Sequence, residues 1–210
     1  MRYYTLLGEG HSEVVDRKSR FLGAAFPVSS QERAQEIIRD IRQEHYKARH
    51  NTYAMIIGED GMLTRSSDDG EPSGTAGAPM LQVLDGAGLK NALVVVTRYF
   101  GGTLLGTGGL IRAYTQAAKE AVDDAGIGVM TLHSCFKAVI SYQVLDKVLY
   151  YVKQQGLSEP EAVYGSDVEL TFSVEAGMED SVKNALVQMS SGTVVFDELP
   201  PRYEASRLLG

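Results

Sequence analysis

The sequence is poor in cysteine, in long apolar segments and in positive charge. Cys135 is the only cysteine in 210 residues, which excludes an internal disulfide and a zinc site built from a cysteine cluster. No apolar run approaches the roughly 20 residues of a membrane-spanning helix, and the polar start of the chain does not resemble a signal peptide. These absences predict a cytoplasmic protein with no membrane partner.

Lysine and arginine number 20 against 27 aspartate and glutamate residues, giving a net charge of −7. The segment up to residue 131 is close to neutral, with 14 basic and 16 acidic residues, whereas the remainder has 6 and 11. Bulk charge therefore gives no indication of a large face for nucleic acid. A local basic strip is still compatible with this overall charge. Arg17–Arg20 is either a solvated turn or a patch that faces phosphate.

The unusual residues concentrate between Arg65 and Arg112, which holds ten of the 22 glycines. Glycine within regular structure costs roughly 0.5–1 kcal/mol relative to alanine, so this density requires a reason. The segment contains an acidic turn (Ser67–Pro72), a run of small residues (Ser73–Gly77), an apolar run typical of a buried strand (Asn91–Tyr99) and a glycine-rich loop (Gly101–Gly109).

A strand, a glycine-rich loop and a following helix can direct several backbone N–H groups at an anion. Arg98 and Arg112 flank this loop and are expected to add positive charge. The pattern is not specific, because the lysine of a P-loop is missing and glycines also permit close packing of a helix on a sheet. The candidate residues for binding an anion or nucleic acid are Ser73, Thr75, Arg98, Gly101, Gly102, Gly106, Thr107, Gly108, Gly109 and Arg112.

The acidic turn allows a second interpretation. Asp68, Asp69 and Glu71 place three carboxylates within four residues, as in many acid–base and metal sites. On this alternative the protein is a hydrolase or transferase acting on a phosphorylated small molecule. However, Gly70 and Pro72 explain the same residues as a turn, and the spacing differs from that of an EF-hand. No metal or cofactor is therefore predicted.

The periodicity divides the chain into two domains and a tail. Before residue 131, a serine-capped helix begins near Ser30 and a long amphipathic helix follows the glycine-rich loop. After it, strands and helices alternate in the order β-α-β-β-α-β, which is the ferredoxin-like order. We predict an α+β protein with domains at 1–131 and 132–200, a last strand over Val194–Leu199, and a mobile tail at 201–210.

Three blocks of sequence resemble the signature of the IMPACT family, in its bacterial YigZ/YvyE-like branch. They are Ser67–Gly77, Val96–Gly102 and Leu105–Tyr114. Lys18–Phe21 and the region from His50 to Ala54 extend the resemblance, and the two-domain layout carries it over nearly the whole chain. Ala78 departs from the pattern, since a basic residue is expected before the proline.

The resemblance implies a first domain with a left-handed βαβ fold, shared with a small-subunit ribosomal protein and with the fourth domain of elongation factor G. It implies a second domain similar to the fifth domain of that factor. Eukaryotic members regulate translation in the amino-acid starvation pathway through a partner-binding module that is not expected in this chain. The sequence therefore favours a non-enzymatic protein that binds RNA, the ribosome or a translation-associated protein. A further interpretation is that the signature residues only maintain the fold and that a partner binds to another surface.

Overall fold

A computed structural model describes residues 2–207 of the chain. These residues form two compact units, of which residues 3–130 and 131–204 are the main parts. Strands within each unit form an antiparallel sheet, and helices pack on the sheets. The predicted α+β class is confirmed.

The sheet of the N-terminal unit has the strand order β2-β3-β6-β4-β5, and neighbouring strands are antiparallel. Because β3 and β4 both run antiparallel to β6, they are parallel to each other, and α1 connects them as a βαβ unit. The elements up to residue 125 are β1 (Arg2–Leu6), β2 (Gly10–Asp16), β3 (Ser19–Pro27), α1 (Gln31–Glu44), β4 (His50–Ile57), β5 (Leu63–Ser67), α2 (Gly77–Gly86), β6 (Ala92–Tyr99) and α3 (Gly106–Ala125).

Helices α2 and α3 cover one face of this sheet. The small and apolar face of α3 presents Ala117, Ala121 and Tyr114 to β2 and β3, where all three side chains are fully buried. A Cβ atom at Gly10 would lie 2.2 Å from the carbonyl oxygen of Ala121, so glycine at this position permits the close approach of the helix. This packing fixes the orientation of α3 on the sheet, and with it the orientation of the first turn of the helix.

Helix α1 covers only part of the opposite face. Its N-cap is a serine as predicted, since Ser30 accepts a hydrogen bond from the amide of Arg33. Ile37 and Ile38 pack against residues of β4 and β6, including Met55 and Val95. Within residues 2–207, no helix fills the surface of β2 and of Leu22–Ala24 on this face, where a groove opens.

The C-terminal unit contains β7 (Ile127–Ile140), α4 (Tyr142–Gln154), β8 (Glu161–Tyr164), β9 (Val168–Glu175), α5 (Glu179–Met189) and β10 (Val195–Arg207). Strand β7 pairs with β9, with β10 and with β1, and β9 pairs with β8. The resulting order, β10-β7-β9-β8, confirms the predicted ferredoxin-like arrangement. Alternate residues of β7 and β9, with Phe136 and Phe172 stacked at 5.2 Å, form its core.

The structure adds one strand and moves one boundary. Strand β5 was not predicted, because Leu63–Ser67 is short and largely polar and forms only by pairing with β4. The last strand continues to Arg207 instead of ending at Leu199, since pairing with β7 tolerates Pro200 and Pro201. Residues 201–207, predicted as part of a tail, thus belong to β10, and residues 208–210 lie outside the described part of the chain.

Candidate functional site: a cleft at the start of helix α3

A cleft of about 440 Å³ opens where helix α3 begins. We call it the α3 cleft. The first turn of α3, the end of β6 and the start of β4 form its walls, so three segments distant in sequence meet there. Its lining residues are Arg49, His50, Glu71, Pro72, Arg98, Phe100, Leu104, Leu105, Gly106, Thr107 and Leu110.

The first turn of α3 leaves backbone donors unpaired. The sequence predicts a loop through Gly109, but the helix already begins at Gly106, whose φ of 72° favours glycine. Leu105 at the N-cap provides no side-chain cap, and within residues 2–207 the amides of Gly106, Thr107 and Gly108 have no hydrogen-bond acceptor. Such amides, together with the positive end of the helix dipole, attract anions.

Arg98 does not project its charge into solvent as the sequence suggests. It is 6% exposed, and its Nη1 donates to Glu71 Oε1 at 2.7 Å. Tyr114 donates to the same oxygen at 2.8 Å, and burial together with the carboxylate raises the pKa of this tyrosine. The ion pair is buried because β6 runs through the centre of the sheet, so any charge at position 98 needs a partner inside the protein.

The guanidinium of Arg98, a residue that lines the cleft, keeps one unused donor. Its Nε is buried and has no acceptor among the described residues. The group lies 5.3 Å from the ring centroid of Phe21 and 5.6 Å from that of Phe100. Phe100 itself is 54% exposed and Leu104 is 81% exposed, so the cleft has an apolar and accessible rim.

The β2–β3 hairpin is held against the same region. Arg17 and Lys18 both have positive φ values, 45° and 67°, which are unfavourable for residues other than glycine. Buried Ser19 accepts from the amide of Gly101 at 3.1 Å, and a Cβ at Gly101 would lie 2.0 Å from the carbonyl carbon of Lys18. Gly101 is therefore needed for the contact of the loop with the hairpin, and its amide is not free for a ligand.

Asp68 caps helix α2 from a distance in sequence. Its carboxylate accepts from the amides of Gly74, Ala76 and Gly77 at 2.8–3.0 Å. Burial alone would raise the pKa of Asp68, but these three backbone donors outweigh it, and the pKa lies below its usual value. Asp68 is thus engaged in stabilising a helix terminus.

Asp69 is also engaged in local structure. Its carboxylate accepts from Arg42 and from the amide of Asn51, each at 2.7 Å. Its carbonyl oxygen lies 2.8 Å from Nδ1 of His50 and can only accept, so Nδ1 donates this hydrogen bond and Nε2 is not used in it. Nε2 lies 4.0 Å from Glu71 Oε1. Of the three acidic residues, Glu71 alone lines the α3 cleft.

The remaining predicted residues lie apart from the cleft or serve the fold. Thr75 is buried and donates to the carbonyl of Pro72, whereas Ser73 and Gly102 are exposed. Arg112 is exposed on α3 and lines a separate surface depression with Val15 and Asp16, while its Nη1 lies 3.7 Å from the position that a Cβ atom would take at Gly108. Arg98 and Arg112, which flank the loop in sequence, are thus not brought together.

Four residues of the site were not among the predicted candidates. Arg49 and His50 lie where the loop after α1 enters β4. From sequence this cation-rich segment is either an anion-binding loop or a plain connection, and its placement depends on how β4 enters the sheet. Phe100 and Tyr114 have no distinctive local pattern and read as ordinary apolar positions. Their juxtaposition is a property of the fold and not of sequence spacing.

Comparison with known proteins shows the family. The Impact N-terminal domain model matches residues 17–122, and a domain of unknown function, DUF1949, matches residues 139–193. IMPACT family member YvyE of Bacillus subtilis is 37% identical over 190 residues, which cover 90% of this chain and 88% of that protein. The chain belongs to the IMPACT family.

Other relatives match over shorter lengths. IMPACT family member YigZ of Escherichia coli is 44% identical over 108 residues, covering 50% of this chain and 53% of that protein. Protein IMPACT of Oryctolagus cuniculus is 34% identical over 98 residues, covering 44% and 30% respectively. A solved structure, described as that of a hypothetical protein, aligns with 29% identity and a TM-score of 0.62 over 95% of this chain and 98% of its own.

No helix within residues 2–207 combines the length and the apolar character that crossing a bilayer requires. The predicted family and fold class are confirmed by the family matches and by the structural likeness.

Proposed function

We propose that this IMPACT family protein is a cytoplasmic protein linked to translation, and that it binds RNA through the α3 cleft. The RNA is either part of the ribosome or separate from it. A backbone phosphate would be held by the unpaired amides of Gly106, Thr107 and Gly108. The observation that carries the proposal is the uncapped first turn of α3 opening into a cleft that contains a buried arginine.

Free cations surround this turn. Arg49 lines the cleft, is exposed and has no carboxylate partner among the described residues. Arg17 and Lys18 are exposed at the hairpin tip, and Arg17 donates to the carbonyl oxygen of Leu104. Together these side chains give a local positive field in a unit that is otherwise near neutral, which is the charge distribution suited to a phosphate backbone.

The apolar rim provides a surface for a nucleobase. The exposed ring of Phe100 stands beside Leu104 at the cleft mouth, and an aromatic platform next to cations is typical of sites for single-stranded nucleic acid. Stacking of one base contributes roughly 1–3 kcal/mol in such sites. We therefore expect single-stranded RNA to be preferred over a duplex.

The strained hairpin supports a functional role for its tip. Positive φ at two successive non-glycine residues costs on the order of 1–2 kcal/mol each, and asparagine with glycine is the favoured pair for such a turn. Arg17 and Lys18 occupy these positions instead. Backbone strain of this kind is concentrated at functional sites, where the charged side chains are retained for function despite the loss of local stability.

The link to translation derives from the family. The resemblance implies two domains that are each similar to a domain of elongation factor G, and eukaryotic members act in the control of translation. The bacterial relatives carry only the family name, so RNA or ribosome binding is the part of the function that requires a direct test.

The test measures binding of a short single-stranded RNA by fluorescence anisotropy at several salt concentrations. Arg49→Ala should weaken binding at least fivefold for all sequences and reduce the slope of log K against log salt by about one, as expected for the loss of one phosphate contact. Arg39→Ala, which removes an exposed cation of α1 remote from the cleft, is the matched control and should change neither quantity. Unaltered affinity in Arg49→Ala, or the absence of RNA binding, would refute the proposal.

A catalytic function is the second candidate, favoured by the orientation of His50. Its Nδ1 is fixed by the carbonyl of Asp69, which leaves Nε2 beside Glu71 at the cleft, as in a general base. The protein would then be a hydrolase or transferase acting on a phosphorylated small molecule. Turnover of a nucleotide or sugar phosphate that is lost in His50→Gln would establish it, whereas unchanged RNA affinity in the same variant would separate the two functions.

A further inference from the structure

A second recess lies on the α1 face of the N-terminal sheet. Helix α1 covers β4 and β6, and the adjoining surface of β2 and β3 is open. A groove of about 650 Å³ occupies this position. We call it the β2–β3 groove, and its lining residues are Glu9, His11, Ser12, Glu13, Leu22, Gly23, Ala24, Phe26, Ile41, Glu44, His45 and Thr97.

The groove has an apolar floor and an acidic rim. Leu22, Ala24 and Phe26 are half-buried on β3, and Ile41 contributes from α1. Three carboxylates line the groove, and no lysine or arginine in the described part of the chain does so. Glu13 pairs with Arg20 at 2.7 Å. Glu9 and Glu44 are exposed, and neither pairs with a cation within residues 2–207.

The width of the uncovered surface suits one helix. Strands are about 4.8 Å apart, so the distance from β2 to β6 is roughly 10 Å, which matches the diameter of an α-helix with its side chains. On the opposite face of the same sheet, α2 and α3 pack side by side. The α1 face thus has room for a second helix beside α1, with an apolar stripe available to receive it.

An added strand and a nucleic acid fit this surface less well. Strand addition to β2 would use its outward amides, but the amide of His11 already donates to Asp124 Oδ2 at 2.8 Å. A phosphate backbone would meet the unpaired carboxylates of Glu9 and Glu44 and be repelled. The α3 cleft and the β2–β3 groove therefore attract ligands of opposite charge.

We propose that the β2–β3 groove binds a basic amphipathic helix of a protein partner. The apolar face of that helix would lie on Leu22, Ala24 and Ile41, and its lysine or arginine side chains would pair with Glu9 and Glu44. This is the helix-in-groove mode of recognition, in which apolar anchors provide affinity and charges at the rim provide selectivity. The inference is independent of RNA binding.

The experiment uses the full chain and two synthetic amphipathic helices with identical leucine positions, one flanked by lysines and the other by glutamates. Calorimetry gives the affinities, and methyl NMR shifts of Leu22 and Ile41 report the location. We expect the lysine peptide to bind at least tenfold more tightly than the glutamate peptide. The double variant Glu9→Lys with Glu44→Lys should bind the lysine peptide at least tenfold more weakly than the wild type does.

Asp85→Lys is the matched control, because it reverses an exposed carboxylate on α2 without touching the groove. It should leave the affinity of the lysine peptide unchanged. Thermal unfolding of each variant checks that the fold persists, and Glu9→Gln with Glu44→Gln provides a milder pair if charge reversal disturbs it. Failure of the lysine peptide to bind, equal binding of both peptides, or shifts confined to residues outside the groove would overturn the proposal.

Discussion

The two helices that follow the small-residue segments begin in opposite ways. At α2 the protein supplies its own anion, since Asp68 accepts from the amides of Gly74, Ala76 and Gly77. At α3 there is no side-chain cap, and among the described residues the first amides have no acceptor. Both segments look alike in sequence, being rich in glycine and threonine and followed by a helix.

This contrast indicates where a ligand is expected. A helix terminus that is already neutralised gains nothing from an external phosphate, whereas an open terminus gains hydrogen bonds and a favourable dipole interaction. The two regions are joined by the buried pair of Glu71 and Arg98, one residue from each. The acidic turn therefore supports the site at α3 without forming it.

The largest effect on stability is expected from breaking the ion pair of Glu71 and Arg98. Arg98→Ala leaves Glu71 buried without its ion-pair partner, so the free energy of unfolding should fall by about 3–5 kcal/mol. Urea unfolding measures the change. The double variant Glu71→Gln with Arg98→Met should recover much of the loss, because both buried charges are removed. Equal instability of the single and double variants would contradict a buried-pair explanation.

A smaller effect is expected from removing the internal anion of α2. Asp68→Ala should lower the free energy of unfolding by about 2 kcal/mol, because three backbone donors lose a charged acceptor. Added sulfate should restore part of the stability, since the variant makes the start of α2 resemble that of α3. A variant whose stability does not respond to sulfate more than the wild type would argue against this equivalence.

The pH dependence of the wild type follows from the same contacts. The pKa of Asp68 in the folded chain lies below its ordinary value of 3.8. The contribution of Asp68 is therefore fully present above that pH and is lost as the pH falls through the lowered folded value. Asp68→Asn should remove this part of the acid dependence in urea unfolding experiments, which compare the two proteins between neutral and acidic pH.

The smallest change in stability should come from giving α3 an anion of its own. Thr107→Glu places a carboxylate in the first turn and should stabilise the protein by roughly 0.5 kcal/mol, while reducing RNA affinity at least tenfold through competition with phosphate. Thr107→Gln is the control, because it has the same length without the charge. Tight RNA binding by Thr107→Glu would show that the open amides are not the binding site.

Much of the fold was predictable because periodicity reports burial directly. The alternating run that became β7, the amphipathic pattern of α3 and the serine cap of α1 each follow from local rules. Strand β5 and the extension of β10 were not predictable, since both depend on pairing with β4 and β7. Part of the site could be found from glycine spacing, namely the turn from Gly106 to Gly108.

The sequence by itself determined the family, the ferredoxin-like order of the second unit and the presence of an unusual glycine segment. Only the tertiary structure decided that Asp68 and Asp69 serve local structure, that Arg98 is buried against Glu71, and that Arg49, His50 and Phe100 meet at α3. The reason is physical. Helical and strand periodicity is set by neighbours in the chain, but whether a charge or an amide is free depends on partners that folding brings from distant segments.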